Sequence, residues 1–151
     1  MGLQQTIEDN YKAAFKAGQK AEVIVLRSLK SAMKNEEIAL KKTVLDDEDV
    51  IKVLNREVKR RKDALVMFQK GNRLELAEIE QIEINFLKKY LPEELSAGQL
   101  NEIISQVIKQ SGATELSDLG KVMSRVMLKV QGRADGSAIS AEVKKQLSGY
   151  K

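Results

Sequence analysis

A chain of 151 residues with 26 basic and 22 acidic side chains, for a net charge of +4, is long enough for one domain or two small ones with a buried core. It has no cysteine and no histidine, which removes disulfides, thiol chemistry, the commonest metal ligand and the usual neutral-pH general base; no metal and no other cofactor is expected. One proline, three phenylalanines, three tyrosines and no tryptophan among many Leu, Ile, Val, Ala, Lys and Glu residues favour helix over sheet.

Leu3, Ile7, Tyr11, Ala14 and Phe15 recur at helical spacing, so the chain opens on a helix with one apolar face that Gly18 ends. A second helix is expected from Lys20 to Lys41, with Val25, Leu26, Leu29, Ala32, Met33 and Leu40 inward and Arg27, Lys30, Lys34 and Glu37 outward. The two should form a hairpin. Asp46 caps a third helix whose first turn is acidic, and Leu45 can staple to Val50. Ile51, Leu54, Val58, Leu65 and Phe68 mark its seam, interrupted at Arg61. That arginine either rests at the seam edge with its guanidinium in water or pairs with an acid of a neighbouring helix.

Gly71 stops the third helix, and Asn72 with Glu75 has the form of a capping box for the fourth. Ile79, Ile82, Phe86 and Tyr90 give the fourth helix an apolar side, with Glu75, Glu78, Glu80 and Glu83 elsewhere. Residues 51 to 70 carry seven basic and two acidic side chains. Arg56, Lys59, Arg60 and Lys62 there form a secondary basic face, read either as a solvated face neutralised by the fourth helix or as a phosphate contact. No aromatic side chain interleaves these cations, so base stacking on this helix is not expected.

The only proline, Pro92, marks the best boundary, giving an N-terminal helical subdomain over 1–91 and a C-terminal three-helix subdomain over 92–151. Ser96 caps a fifth helix, Gln99 closes the box, Leu95 staples to Leu100, and Ile103, Ile104, Val107 and Ile108 complete its buried stripe before Ser111-Gly112. The sixth helix follows Asp118, with Leu119, Val122, Met123, Val126 and Val130 inward and Lys121, Arg125 and Lys129 on another face. Its methionines read as core filler. Arg133 continues the four-residue cation interval just past the helix end; Gly132 suits a left-handed cap, and Asp135 can cap a final helix carrying Ile139, Val143 and Leu147. The whole is all-α: an N-terminal four-helix array followed by a C-terminal three-helix bundle.

Catalytic templates fail. There is no phosphate-cradling Gly-Lys-Ser/Thr loop and no dinucleotide fingerprint. Ser124 near Lys121 is a chance pairing at helical spacing, and Glu78 with Glu83 or Asp46 to Asp49 fit exposed faces and helix termini better than paired catalytic carboxylates or a cation site. No catalytic residue is assigned. The corner from Gly132 to Gly136 has two readings: a phosphate seat, with the N–H groups of the last helix beside Arg133, or a tight turn whose glycines serve caps alone. No apolar run approaches the roughly 20 residues of a membrane span, and Met1-Gly2-Leu3-Gln4-Gln5 lacks a basic segment leading into an apolar one, so a cytoplasmic protein with no membrane partner is expected.

Gly120-Lys121-Val122-Met123 and Gly132-Arg133-Ala134-Asp135-Gly136, preceded by Tyr90-Leu91-Pro92-Glu93-Glu94-Leu95 and by Arg56-Glu57-Val58-Lys59-Arg60-Arg61-Lys62-Asp63, resemble the YqeY-like proteins. These share a helical domain with the tail of the GatB component of the aspartyl/glutamyl-tRNA amidotransferase. The resemblance implies a non-catalytic, tRNA-binding or tRNA-associated accessory module, since in the amidotransferase the tail grips the tRNA body and the chemistry occurs in other parts. A label of carbon–nitrogen ligase with glutamine as amido-N-donor would be inherited from that larger enzyme. Carried onto this chain, the candidate RNA-contacting positions are Lys121, Lys129, Arg133 and the backbone around Gly132 and Gly136; Arg125, on the same basic stripe, is a further candidate. Where the amidotransferase tail has Asn-Pro, this chain has Asp135-Gly136, which sets an acid beside any bound phosphate. The alternative is a helical protein-interaction module docking on a synthetase or amidotransferase assembly.

Overall fold

The computed structural model describes residues 2–149, and among them the chain is all-helical, with seven α-helices, one 3₁₀ turn and no strand. Two compact units divide between Leu91 and Pro92.

The first unit holds α1 (Leu3–Ala17), α2 (Lys20–Leu40), α3 (Asp47–Lys70) and α4 (Leu74–Lys88). Gly18, at φ +70°, takes the left-handed cap that ends α1 and lets α2 start two residues later, a bend that a Cβ would strain. Ile7, Ala14, Leu26, Leu29 and Met33 are buried between these two helices and α3, whereas Phe15 and Leu40, expected inward, are exposed. Both lie in the last turn of their helix. Glu37, expected outward, is half-buried and accepts a hydrogen bond from Gln4 Nε2 at 2.7 Å.

Asp46 caps α3: its Oδ1 accepts from Asp49 N at 2.8 Å, and Asp49 Oδ2 accepts from Asp46 N at 3.3 Å, closing a reciprocal box between two acids. The Asp49 backbone N–H holds the Asp46 carboxyl below the usual carboxylate range, with nearby Lys42 assisting. Leu45 and Val50 are both buried, as a staple requires. Gln4 Oε1 accepts from Leu45 N and Asp47 Oδ1 accepts from Leu3 N, each at 2.8 Å, tying the α2–α3 connection to the start of α1.

The buried face of α3 comprises Val50, Val53, Leu54, Glu57, Val58 and Arg61, with Ile51, Leu65 and Phe68 only half-buried. Arg61 is 6% exposed, so its guanidinium is not in water. It donates from Nη1 to Glu57 Oε1 at 3.2 Å and to the Glu57 carbonyl at 3.1 Å, from Nε to Glu83 Oε1 of α4 at 3.4 Å, and from Nη2 to Ser28 Oγ of α2 at 3.3 Å. One arginine therefore joins three helices.

Two expectations for α4 are corrected. Asn72 and Glu75 form no capping box: Asn72 is itself left-handed at φ +56°, and α4 starts at Leu74 without a side-chain cap. The buried residues of α4 are Ala77, Ile84 and Leu87, while Ile79 and Ile82 are 53% and 57% exposed. The helix carries apolar residues on two sides, and the stripe of Ile79, Ile82, Phe86 and Tyr90 is covered only at its C-terminal end, where Phe86 and Tyr90 pack against the core and Tyr90 OH accepts from Asn10 Nδ2 at 2.8 Å. The Arg61–Glu83 contact turns the other side of α4 toward α3.

The second unit holds α5 (Ala97–Ser111), a 3₁₀ turn (Leu116–Asp118), α6 (Leu119–Val130) and α7 (Gly136–Ser148). Ser96 and Gln99 form the expected capping box, with Ser96 Oγ accepting at 3.1 Å and Gln99 Oε1 at 3.0 Å. Leu100, Ile104, Val107 and Ile108 of α5, Val122, Val126 and Val130 of α6, and Ile139, Val143 and Leu147 of α7 make one closed core. Leu95, Leu119 and Met123 pack against its edge. No described helix is long and apolar enough to cross a membrane.

Candidate nucleic-acid interface

The burial of Val122, Val126 and Val130 at four-residue steps decides the orientation of α6. Each of Lys121, Arg125 and Lys129 precedes one of these valines by a single residue, so the three cations fall together on the neighbouring, exposed face. Lys121 Nζ donates to the Ser111 carbonyl at the end of α5, 3.3 Å away, while Arg125 and Lys129 take part in none of the ion pairs among the described residues. Their charge is available to solvent. The same helix presents two exposed apolar side chains that the sequence pattern does not mark as such: Met127, which is half-exposed rather than core filler, and Leu128, which is 73% exposed.

The corner after α6 is built differently from its sequence expectation. The left-handed cap begins at Gln131, at φ +49°, and Gly132 follows at φ +78°; two successive left-handed residues turn the chain off the helix axis, and the second is the one that glycine relieves. Arg133 therefore leaves the line of α6. Its Nε donates to the Glu93 carbonyl at 2.9 Å, and its own carbonyl accepts from Leu95 N at 2.8 Å. This half-buried arginine holds the segment after Pro92 against the corner. Asp135 is the N-cap residue of α7 by backbone geometry, but its side chain does not cap the helix; Oδ2 accepts from Ser137 Oγ at 2.7 Å. Gly136 opens α7 with open space around its Cβ direction. A carboxylate and a hydroxyl thus stand at the helix start, where a phosphate would otherwise be favoured.

The secondary basic face on α3 is half consumed. Arg56 pairs with Glu36 of α2, and Arg60 Nη2 reaches Glu57 Oε1 of its own helix at 2.8 Å. Lys59 is exposed and Lys62 half-buried, without an ion pair to a described residue. The neutralising acids come mainly from α2 and α3, whereas the expectation placed them on α4; of the α4 carboxylates only Glu83 forms an ion pair among the described residues, with Arg61. Burial, and then the Glu83 carboxylate beside it, push the Glu80 carboxyl above its ordinary range. Among the described residues no group of acids, cysteines or histidines is arranged to hold a metal ion.

These features define a class: a small all-helical protein whose second unit is a three-helix bundle with an exposed cationic helix. A model of the YqeY-like protein family matches residues 4–147, and the chain belongs to that family. It is 38% identical over 96 residues to an uncharacterised protein of Schizosaccharomyces pombe, covering 62% of this chain and 76% of the other. It is 26% identical over 147 residues to the altered inheritance of mitochondria protein 41, mitochondrial, of Lachancea thermotolerans, covering 93% of this chain and 78% of that one. To the Saccharomyces cerevisiae counterpart it is 25% identical over 148 residues, covering 93% of this chain and 80% of that one. These two relatives are mitochondrial by name, which overturns the expectation of a cytoplasmic location. The physical reason is plain: the absence of an apolar segment does not select among compartments.

Proposed function

We propose that the chain is a non-catalytic accessory module that grips RNA, with tRNA as the partner, through the basic face of α6. The observation that supports this most is the exposure of Lys121, Arg125 and Lys129 on one side of a helix whose other side is locked into a core by three valines. A rigid row of cations at one helical-turn spacing suits phosphate contact, which reads backbone shape and not base identity. Arg133 contributes by fixing the corner, because its Nε is already bonded to a carbonyl; Gly136 leaves the backbone there open to approach, and Gly132 provides the turn. The test is binding of labelled tRNA by the full chain at several salt concentrations. The Lys121→Ala/Lys129→Ala/Arg133→Ala variant is expected to bind at least about tenfold more weakly with a shallower salt dependence. Unchanged affinity and slope would remove α6 from the interface.

A second reading has its own observation. Val66 and Met67 near the end of α3, with Leu74, Ile79 and Ile82 of α4, leave the hairpin end of the first unit with exposed apolar side chains. Such a surface suits docking on a protein, and a synthetase or amidotransferase assembly is the partner this reading proposes. Capture of such a partner that persists after nuclease treatment and is lost in Ile79→Asp would favour it. Carbon–nitrogen ligase activity ranks last, and glutamine-dependent amidation of a mischarged tRNA by the purified chain alone would restore it.

A further inference from the structure

A second charged surface lies in the first unit, and it has what α6 lacks: aromatic rings among its cations. Between residues 11 and 34 stand Lys12, Lys16, Lys20, Arg27, Lys30 and Lys34 against a single acid, Glu22, a local net charge of +5 where the whole chain carries +4. Unlike the α3 cations, these are mostly free of ion pairs: of the six, only Lys34 belongs to one among the described residues, an exposed pair with Glu37 at 3.5 Å.

The α1–α2 hairpin brings two aromatics to this charge. Tyr11 and Phe15 are one turn apart on α1, with ring centroids 6.3 Å from each other. Lys30 Nζ of α2 sits 4.2 Å from the Tyr11 ring centroid, and Arg27 Nη2 donates to Tyr11 OH at 3.4 Å. Phe15 is 62% exposed, a cost in apolar surface that no core contact offsets. Tyr11, Arg27, Lys30, Ser31 and Lys34 line a groove of about 320 Å³ between the two helices. The groove is polar along its length: its acids, Glu8 and Glu37, lie toward the start of α1 and the end of α2, and Gln4 and Lys34 already bond Glu37. Phe15 is not part of the groove lining; it stands beside Tyr11, one turn nearer the Gly18 turn, and Lys12, Lys16 and Lys20 flank it in the chain.

We propose that the cationic part of the α1–α2 groove binds a single-stranded segment of nucleic acid, with a base stacked on Phe15 beside it and the backbone phosphates on Arg27, Lys30 and the lysines of the turn. Free aromatic faces set among cations are what single strands use, because every base offers a π-face and every nucleotide a phosphate. An acidic peptide would use the cations and leave Phe15 idle. A duplex would use them without unstacking a base. The site belongs to the first unit and does not depend on α6.

The experiment measures binding of a fluorescent twelve-nucleotide oligouridine to the full chain, with its salt dependence. Phe15→Ala is expected to weaken binding about tenfold and Phe15→Tyr to retain it, both with an unchanged unfolding midpoint because the side chain is exposed. Arg27→Gln/Lys30→Gln is expected to lower the logarithmic salt slope by roughly 1 to 1.5, at about 0.7 per phosphate for a single strand. Equal affinity of wild type and Phe15→Ala would overturn the stacking site. Displacement of the oligonucleotide by polyglutamate at matched charge would overturn it in favour of an acidic protein partner. Loss confined to Lys121→Ala/Lys129→Ala/Arg133→Ala would place the strand on α6 and overturn the proposal, while leaving the reading of that helix standing.

Discussion

α3 and α6 both display cations at helical spacing, yet the fold puts them to opposite uses. On α3, Arg61 is buried and Arg56 reaches Glu36 of α2, so both tie α3 to its neighbours, while Arg60 is spent on Glu57 of its own helix. On α6, Lys121, Arg125 and Lys129 face solvent while three valines hold the helix in place. The density of positive charge in a sequence is thus a poor guide to its availability. What counts is whether acids of packed helices arrive at the same level.

The contrast is broken most sharply at Arg61. Arg61→Ala leaves Glu57 and Glu83 without their shared partner in a buried setting, and the first unit is expected to lose about 3–5 kcal/mol in denaturant unfolding. A loss below about 1 kcal/mol would mean that water replaces the guanidinium and that α3 is less closed than its burial indicates. Lys121→Ala/Lys129→Ala, which spares the corner-fixing Arg133, should behave inversely, weakening RNA binding with little change in unfolding midpoint. A smaller effect is expected at the entrance to the second unit, where Ser96→Ala removes one half of a capping box at a cost of about 1 kcal/mol. No change there would mean that Leu95 packing alone sets the start of α5.

The acids around α3 also make the comparison pH-dependent, in two directions. The Asp46 carboxyl lies below its unfolded value, so its stabilisation is present above the unfolded pKa and lost as pH falls through the folded one. Glu80 is raised by burial and by Glu83; the folded state there holds a proton the unfolded state has released, so this group favours folding increasingly as pH falls through its folded pKa. Glu80→Gln is therefore expected to raise the unfolding midpoint at neutral pH and to remove that acid-side gain, and Asp46→Asn to remove the acid-side loss, both read from melts between about pH 3 and pH 7. The smallest effect belongs to Lys59→Gln, on the exposed remainder of the α3 face, within about 0.5 kcal/mol of wild type and with tRNA affinity nearly unchanged.

Much of the fold is legible in the chain because caps are local. Ser96 with Gln99, Asp46 with its acidic first turn, Gly18 and the valine stripe of α6 each act over a few residues, so their spacing carries the information. The all-helical class follows from the same signals. α4 is not legible in this way, for the opposite reason: it has two apolar stripes, and periodicity reports that a stripe exists without saying what covers it. The basic trio of α6 is legible as a face, but the diversion of Arg133 toward the Glu93 carbonyl is not, since it depends on two residues 40 positions apart.

By itself, then, the sequence determined the elements, most of their ends and the family, because caps, periodicity and motif residues act within a turn or two of the chain. Only the tertiary structure decided which charges are spent and which are free. Ion pairing requires carboxylates from distant positions to arrive within about 4 Å, and that distance is set by packing. Arg61, gathered by Glu57, Glu83 and Ser28, and Phe15, left uncovered among lysines, are two results of that packing.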